Sequence, residues 1–472
     1  MMGKIRTLFI TLGLLFSIFQ LAAQTNSSEN DGLLIVDKDY SFSANTGGYK
    51  AIGINPANIG FYSRPDGHAS LSVFAFTGSF YSEIWKRTRF HNQTLAFLNS
   101  ETGQPVDKNN LRLLDLLRDD VKANAEMEYF AFSISTKVAG TFAFNAKTTV
   151  LAGMRLNDFT KGLVFSDDVQ AYLIDSLVNK LYTEINSGSG LTTSGVLNML
   201  NGTRLKLSAF HEINLNYSNR IVKTENLKLF GGIGTKFIIT QFDFASSVNN
   251  GEVAGYLTNM SFLPSTAQAD IVNLASDITG KKVGTGIGFD FGLTLEVKEK
   301  LRFSLGVVDI GSIRWPITRF TLNDSISSAE LFNNFVAANN LENGIFYYRT
   351  EDENKEILPA KLNFGVNYKL NKFVNFYLDV IKPLNNSQRN IDKTIVGFGT
   401  LLSAFGWVEL RTGLTFNDTR SPETVTMPFY ISAILGKTTA FELGIGTADF
   451  ISVLSPSRPS LSLNTALIRF QF

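Results

Sequence analysis

Residues 284–298 read GTGIGFDFGLTLEVK. Counted in twos, they set Ile287, Phe289, Phe291, Leu293, Leu295 and Val297 on one side of the chain, and Gly286, Gly288, Asp290, Gly292, Thr294 and Glu296 on the other. Successive strand side chains point to opposite faces, so this is a β-strand with one apolar and one polar face. It is longer than the roughly 5–6 residues of an average soluble strand. It suits the about 9–11 residues that a tilted strand needs to cross a bilayer.

The pattern recurs. In 361–370, Leu362, Phe364, Val366, Tyr368 and Leu370 oppose Lys361, Asn363, Gly365, Asn367 and Lys369. In the stretch from Trp407 to Asn417, Val408, Leu410, Leu414 and Phe416 oppose Glu409, Arg411, Gly413 and Asn417, and FELGIG (441–446) repeats it briefly. Alternation alone fits a soluble sandwich too. The long runs at 204–219, 284–298, 299–310 and 361–370, with glycine crowded onto the polar face, favour a closed barrel.

Read in order, strands fall near 68–81, 127–138, 141–156, 204–219, 226–242, 282–297, 300–315, 360–370, 373–383, 393–403, 406–416, 426–436, 438–449 and 461–472. That is about fourteen, an even count as bacterial barrels require. Short links at 139–140, 220–225, 298–299, 371–372, 404–405 and 437 alternate with longer ones, the rhythm of periplasmic turns and extracellular loops. The expected fold is all-β: a transmembrane antiparallel β-barrel over 67–472 with helix-containing extracellular loops. Helical spacing marks Leu111, Leu114 and Leu117, then Val169, Leu173, Leu177 and Leu181 behind a cap at Asp167, then Leu331 and Phe335 behind Ser328.

Ahead of the barrel, Lys4 and Arg6 precede an apolar run from Leu8 to Ala23, which reads as a signal peptide over 1–23. Residues 24–66 are too long and too apolar for a free tail, and are expected to form a plug in the periplasmic mouth. The chain has no cysteine, hence no disulfide, no thiolate metal site and no lipid-bearing Cys. Past the signal, no run of ~20 apolar residues exists for a spanning helix. Lys+Arg 43 against Asp+Glu 42 gives no field for nucleic acid.

The inward faces carry charges of both signs: Lys147, Arg155, Lys206, Glu212, Lys228, Lys236, Asp290, Lys361, Asp379, Glu409, Arg411, Glu442 and Arg469. Buried charges must pair or be hydrated, so an internal ion-pair network is expected. No catalytic set emerges. His68 and Ser70 share a strand face but lack a third group to orient the histidine; His91 falls in a loop, and His211 falls on a nominally apolar face. GGIGTK (231–236) lacks the spacing of a phosphate loop and reads as a barrel strand. No metal-ligand cluster appears, and neither an enzyme nor a cofactor is expected.

The C-terminal ALIRFQF puts Ala466, Ile468, Phe470 and Phe472 on the lipid side and Leu467, Arg469 and Gln471 inward. Phe470 and Phe472 resemble the C-terminal signal by which outer-membrane barrels are recognised for assembly. That resemblance implies the outer membrane as location, and its lipid and the barrel-assembly machinery as partners. Asn55-Pro56-Ala57 resembles the NPA element of the FadL-type (TodX) hydrophobic-compound transporters and of PorV-type barrels of type 9 secretion. SLGVVDIGSIRW, from Ser304 to Trp315, is similar to tracts in Bacteroidota outer-membrane barrels of that broad group. The FadL likeness implies that Asn55, Pro56 and Ala57 belong to a hatch. It also implies passive transport or binding of a small hydrophobic ligand. The alternative is a non-transporting barrel that docks a protein partner, as a secretion or envelope-assembly accessory.

Overall fold

The computed structural model describes residues 43–61, 69–82, 121–136, 139–165, 176, 179, 198–250, 252–258, 284–322, 346–387, 393–404, 407–416, 425–436, 440–454 and 460–471. The strands are β1 (Ala69–Ser82), β2 (Val121–Thr136), β3 (Gly140–Arg155), β4 (Arg204–Lys223), β5 (Leu227–Asn249), β6 (Glu252–Leu257), β7 (Gly284–Val297), β8 (Leu301–Leu322), β9 (Phe346–Ile357), β10 (Lys361–Lys369), β11 (Val374–Pro383), β12 (Ile395–Ala404), β13 (Val408–Phe416), β14 (Val425–Thr426), β15 (Phe429–Leu435), β16 (Ala440–Thr447) and β17 (Ser460–Gln471).

Pairing runs antiparallel through β1-β2-β3-β4-β5-β7-β8-β10-β11-β12-β13-β15-β16-β17, and β17 pairs back with β1. The sheet is therefore a closed fourteen-strand barrel, and each strand read from the alternation is a stave of it. The strands not foreseen are β6, β9 and β14. β6 and β9 pair with the far halves of β5 and β8, beyond the level where β10 joins β8. The wall is uneven as a result: β4, β5 and β8 have 20, 23 and 22 residues, whereas β10 to β13, β15 and β16 have 7 to 10.

Two expectations change. The second strand, expected from residue 127, starts at Val121, close behind the helical spacing at Leu111–Leu117, because pairing with both β1 and β3 satisfies its backbone on both edges. Residues 109–120 and 323–345 lie outside the described residues, as does nearly all of 166–197. Before that stretch stands a helix not expected from the sequence, α1 (Asp158–Phe165), capped by Asn157, whose Oδ1 accepts from the Thr160 backbone N–H at 2.8 Å.

The two faces of the wall are inverted relative to a water-soluble protein. On β7, Ile287, Phe289 and Phe291 are 49%, 47% and 49% exposed, while Asp290 on the opposite face is 0%. Ile213, Leu215, Ile233, Phe376, Phe398 and Ile445 point outward as well. Inside lie Asn145, Ser208, Asn214, Ser304 and Asn363, all buried. Burying such a side chain from water is worth roughly 1.5–3 kcal/mol. A band of them facing out is stable where the surroundings are themselves apolar.

At the short-turn end, β7 and β8 meet through Lys298 and Glu299, both left-handed, with φ of 50° and 55°. The Lys300 N–H closes on the Val297 carbonyl at 3.1 Å, so these two positive-φ residues are the centre of a type I′ turn within the three-residue link 298–300, a conformation that Asn-Gly adopts readily and Lys-Glu does not. Replacing Lys298-Glu299 with Asn-Gly is expected to stabilise the barrel by about 1 kcal/mol, seen as a higher denaturant midpoint for the folded, heat-modifiable band. An unchanged or lower midpoint would show that these side chains supply compensating contacts.

Candidate functional site

Residues 43–61 run inside the barrel and form the centre of the candidate site. Two 3-10 turns shape them, Gly48–Ala51 and Pro56–Gly60. Pro56 has no N–H to leave unpaired at the start of the second turn, and the Asn55 side chain caps that turn by accepting from the Ala57 N–H at 2.9 Å. Asn55 is fully buried, and its Nδ2 donates to Ser304 Oγ at 2.6 Å and to Thr294 Oγ1 and the Leu293 carbonyl at 3.2 Å. Asn58, equally buried, accepts from Thr294 Oγ1 at 2.5 Å and donates to the Ser43 carbonyl. Ser218 and Asn363 donate to the Ala57 and Ile54 carbonyls at 2.9 and 2.8 Å.

A row of glycines makes room for this turn. Gly232, Gly292 and Gly306 are cross-strand partners on β5, β7 and β8. A Cβ at any of them would run into Pro56–Ala57, Asn55 or Ile54, and one on Gly365 of β10 would strike Ser43 and Ala44. The polar-face glycines are therefore a seat for the segment. Those of β12, β13 and β16 serve another purpose: Gly399 and Gly413 lie under the Tyr377 ring, and Gly444 lies under that of Tyr430.

Charges pin the segment at two further points. Asp379 on β11 accepts from the Ser43 backbone N–H at 2.9 Å and from its hydroxyl. Lys50 reaches Glu442 on β16 at 2.7 Å. Apolar contacts are modest: Tyr49, Ile52 and Ile59 cluster with Ala131 and Ala143, and the Phe61 ring packs on Phe230 at 4.2 Å.

On the long-loop side of the segment lies an ionic layer. Lys147 sits 2.6 Å from Glu126 and 3.2 Å from Glu212. Lys236 pairs with Asp309 and lies 3.6 Å from Asp290. Glu126, Lys147, Glu212, Lys236, Asp309 and Lys361 line a cavity of about 60 Å³ that also touches Gly53. Asp309 owes its place to a bulge between Phe289 and Phe291, where it takes a φ of 63° and donates its N–H to Asp290 Oδ1 at 2.8 Å. The bulge also switches the parity of β8. Ser304, Gly306 and Val308 face inward before it, and Ile313, Trp315 and Ile317 after it. These last three join Leu151, Phe210, Ile238 and Leu358 in an apolar cluster on the inner face of the tall wall.

At the short-turn end, an open vestibule of about 400 Å³ is lined by Asn45, Thr46, Gly47 and Phe61 together with a ring of charged side chains. Lys228 contacts Glu299 at 2.6 Å and Glu296 at 3.3 Å; Arg302 contacts Glu296 at 2.9 Å, and Arg411 contacts Glu409 at 3.1 Å. The hydrogen bond from Lys228 and its charge hold the Glu299 carboxyl below the usual carboxylate range.

The residues singled out in the sequence thus divide among these places. Asn55, Pro56 and Ala57 are on the glycine seat. Lys147, Glu212, Lys236, Asp290 and Lys361 share the ionic layer; Asp379 and Glu442 hold the segment; Lys228, Glu409 and Arg411 ring the vestibule. Lys206 is buried on β4, and Arg155 ends β3 opposite Arg204, apart from these groups. The side chain of Arg469 and the whole of Phe472, His68 and His91 lie outside the described residues. Phe470 packs on Phe441 at 5.5 Å. Ser70 contacts Ser133 Oγ at 2.7 Å. His211 is on the outer face in a correct register, its Nδ1 2.5 Å from Thr148 Oγ1, which in turn meets Tyr129 at 2.8 Å. Sequence reasoning passed over Glu126, which precedes the expected start of the second strand at 127, and Asp309, hidden by the bulge. It also passed over Ser43, Asn58, Thr294 and Ser304, whose only signal is a small polar residue on an inward position.

The profile of a family described as "Family of unknown function (DUF5723)" matches residues 86–419. No curated protein matches the sequence. Among solved structures, the chain is similar to the P. putida toluene transporter TodX at 12% identity, over 91% of this chain and 95% of that one, with a TM-score of 0.41. The Ralstonia pickettii toluene transporter TbuX is 12% identical over 92% and 95%, TM-score 0.40, and a Pseudomonas aeruginosa FadL homologue is 10% identical over 93% and 97%, TM-score 0.39. The barrel itself stands on its closed strand pairing.

Proposed function

The chain belongs to the DUF5723 family, whose function is unknown, and from that premise we propose that it is an integral outer-membrane barrel that binds or passes a small hydrophobic compound. In this reading residues 43–61 act as an internal hatch, the short turns face the periplasm and the long loops face outward. The observation that carries the ligand class is the cluster of Leu151, Phe210, Ile238, Ile313, Trp315 and Ile317 on the inner wall. A lumen serving water and ions alone gains nothing from an apolar lining, whereas a hydrophobic solute is bound by one.

Membrane placement rests on the exposed outer band. Phe289→Arg on that band is expected to cost about 2–4 kcal/mol when the barrel folds into lipid vesicles, if the site lies near the midplane. For a surface position in water the same change would be nearly neutral, within about 0.5 kcal/mol. Equal folding of the variant and the parent in vesicles would sink the membrane reading.

The ligand reading is tested with the fluorescent hydrophobic probe N-phenylnaphthylamine and the purified barrel in vesicles. Saturable binding by the parent, weakened at least about tenfold by Ile313→Asp, supports it, since one buried charge in an apolar lining outweighs the about 1.4 kcal/mol that a factor of ten represents. Binding that is unsaturable, or equal in both proteins, counts against it. A specific observation favours the accessory reading as the second: the cavity beside the segment holds only about 60 Å³, less than the ~300 Å³ at which ligand pockets begin. Passage would therefore require residues 43–61 to shift.

A further inference from the structure

We propose that the short-turn vestibule is the docking site of an acidic, extended peptide segment of a partner protein. The proposal rests on the outer-membrane reading only for the side from which the partner comes, the periplasm.

Six basic side chains line the vestibule against three acidic ones, Glu296, Glu299 and Glu409. The acids are committed: Glu296 and Glu299 to Lys228 and Arg302, Glu409 to Arg411. Lys300, Lys369 and Lys372 remain, with no carboxylate at ion-pairing distance among the described residues. They stand on adjacent turns, tied by the bond from the Lys369 N–H to the Lys300 carbonyl at 2.7 Å.

The turn that carries Lys300 also holds Lys298 and Glu299 at positive φ. Left-handed strain in residues with a full side chain persists where the position is put to use.

The occupant follows from the arrangement. A compact anion calls for convergent donors or a nest of backbone N–H groups. Here the cations without a carboxylate are spread over two turn tips around an open space. An extended chain of carboxylates matches that spacing, and long-range attraction would steer it in. Lipid headgroups lie around the outside of a barrel, whereas these lysines line its mouth. The cations beside the chain's own segment, such as Arg302 at 3.3 Å from the Ala44 carbonyl, are the paired ones. Lys300, Lys369 and Lys372 have no carboxylate at ion-pairing distance among the described residues, Lys372 lying over the exposed Phe373 ring at 4.8 Å, and their charge is left for an incoming molecule.

The test uses the full-length mature barrel in detergent, a fluorescein-labelled octaglutamate peptide and fluorescence anisotropy at low salt. The expected result is saturable binding that falls at least about tenfold in the triple variant K300Q/K369Q/K372Q and collapses as ionic strength rises. Arg204→Gln, at the opposite end, is expected to leave it unchanged. Circular dichroism and heat modifiability show whether the triple variant is folded; its changes are all at exposed positions in turns or at a strand end. Because detergent offers both ends of the barrel, failure here leaves the membrane reading untouched. The proposal is overturned by absence of saturable binding to the parent, or by equal binding to the triple variant. It is also overturned by equal competition from inorganic phosphate, which would mark a small-anion site, or by binding that appears only after residues 24–42 are deleted, which would give the vestibule to the chain's own N-terminal region.

Discussion

Gly306→Leu is expected to expel residues 43–61 from the lumen while the barrel wall remains standing. The wall is held by ladders on both sides of β8, to β7 and to β10, and neither depends on the segment. A Cβ on Gly306, however, would occupy the space of the Ile54 carbonyl and Asn55. Backbone cannot give way as the end of a flexible side chain can, so overpacking here falls at the upper end of the about 1–3 kcal/mol range.

Lys50 makes the displacement measurable. It lies within the segment, paired with Glu442 and 16% exposed, and is a tryptic site that the folded parent shields. Loss of about 3 kcal/mol of seating raises the open population roughly a hundredfold, and cleavage after Lys50 should rise with it. Gly397→Ala is the control, since the nearest atom to its Cβ, Thr415 Oγ1, is 3.5 Å away. If Gly306→Leu gives a heat-modifiable barrel in which Lys50 stays protected, the glycine row is not a seat.

Asn55→Asp is expected to unseat the segment as fully as Asn55→Ala, and this comparison separates two roles for one residue. As a turn cap alone, Asn and Asp are nearly interchangeable, because each accepts the Ala57 N–H. In this barrel the Asn55 Nδ2 also donates to Ser304 Oγ and to the Leu293 carbonyl. A carboxylate cannot donate those bonds, and at 0% exposure it would also be a buried charge facing a carbonyl. Alanine removes the same donor and also leaves the Ala57 N–H without its cap, at about 1–3 kcal/mol per orphaned group. Both variants should show tryptic cleavage at Lys50 raised by at least about tenfold. Parent-like protection in Asn55→Asp, with loss only in Asn55→Ala, would reduce Asn55 to a cap.

The barrel was legible because alternation reports directly which medium each side of a strand meets, and Ile287, Phe289 and Phe291 against Asp290 carry that signal without help from other strands. What stayed hidden depends on partners far away in sequence. β9 shows no alternation because YRTEDENKE has no apolar face; its pairing with the far half of β8 makes it a strand. The turn in chain parity at Asp309 is a single extra residue in the run VVDIG, where no gap marks it. The inward faces after it were therefore open to misassignment, and the cluster around Trp315 could not be foreseen. The inward glycines were visible, but their register across β5, β7 and β8, which turns them from space-savers into a seat, is not written in any one strand. Likewise Asn55-Pro56-Ala57 stood out as a motif, while Thr294 and Ser304, which hold it, look like any other small polar residue.

The aligned glycines have a consequence for assembly. Strands rich in glycine specify their pairing weakly and can slide by two residues without exchanging their faces. A slide of β7 by two would bring Asp290 or Thr294 into the row in place of Gly292, and Asn55 could no longer lie down there. Residues 43–61 thus act as a gauge that only correctly aligned hairpins can accept, so that this stretch of chain proofreads the cylinder it occupies.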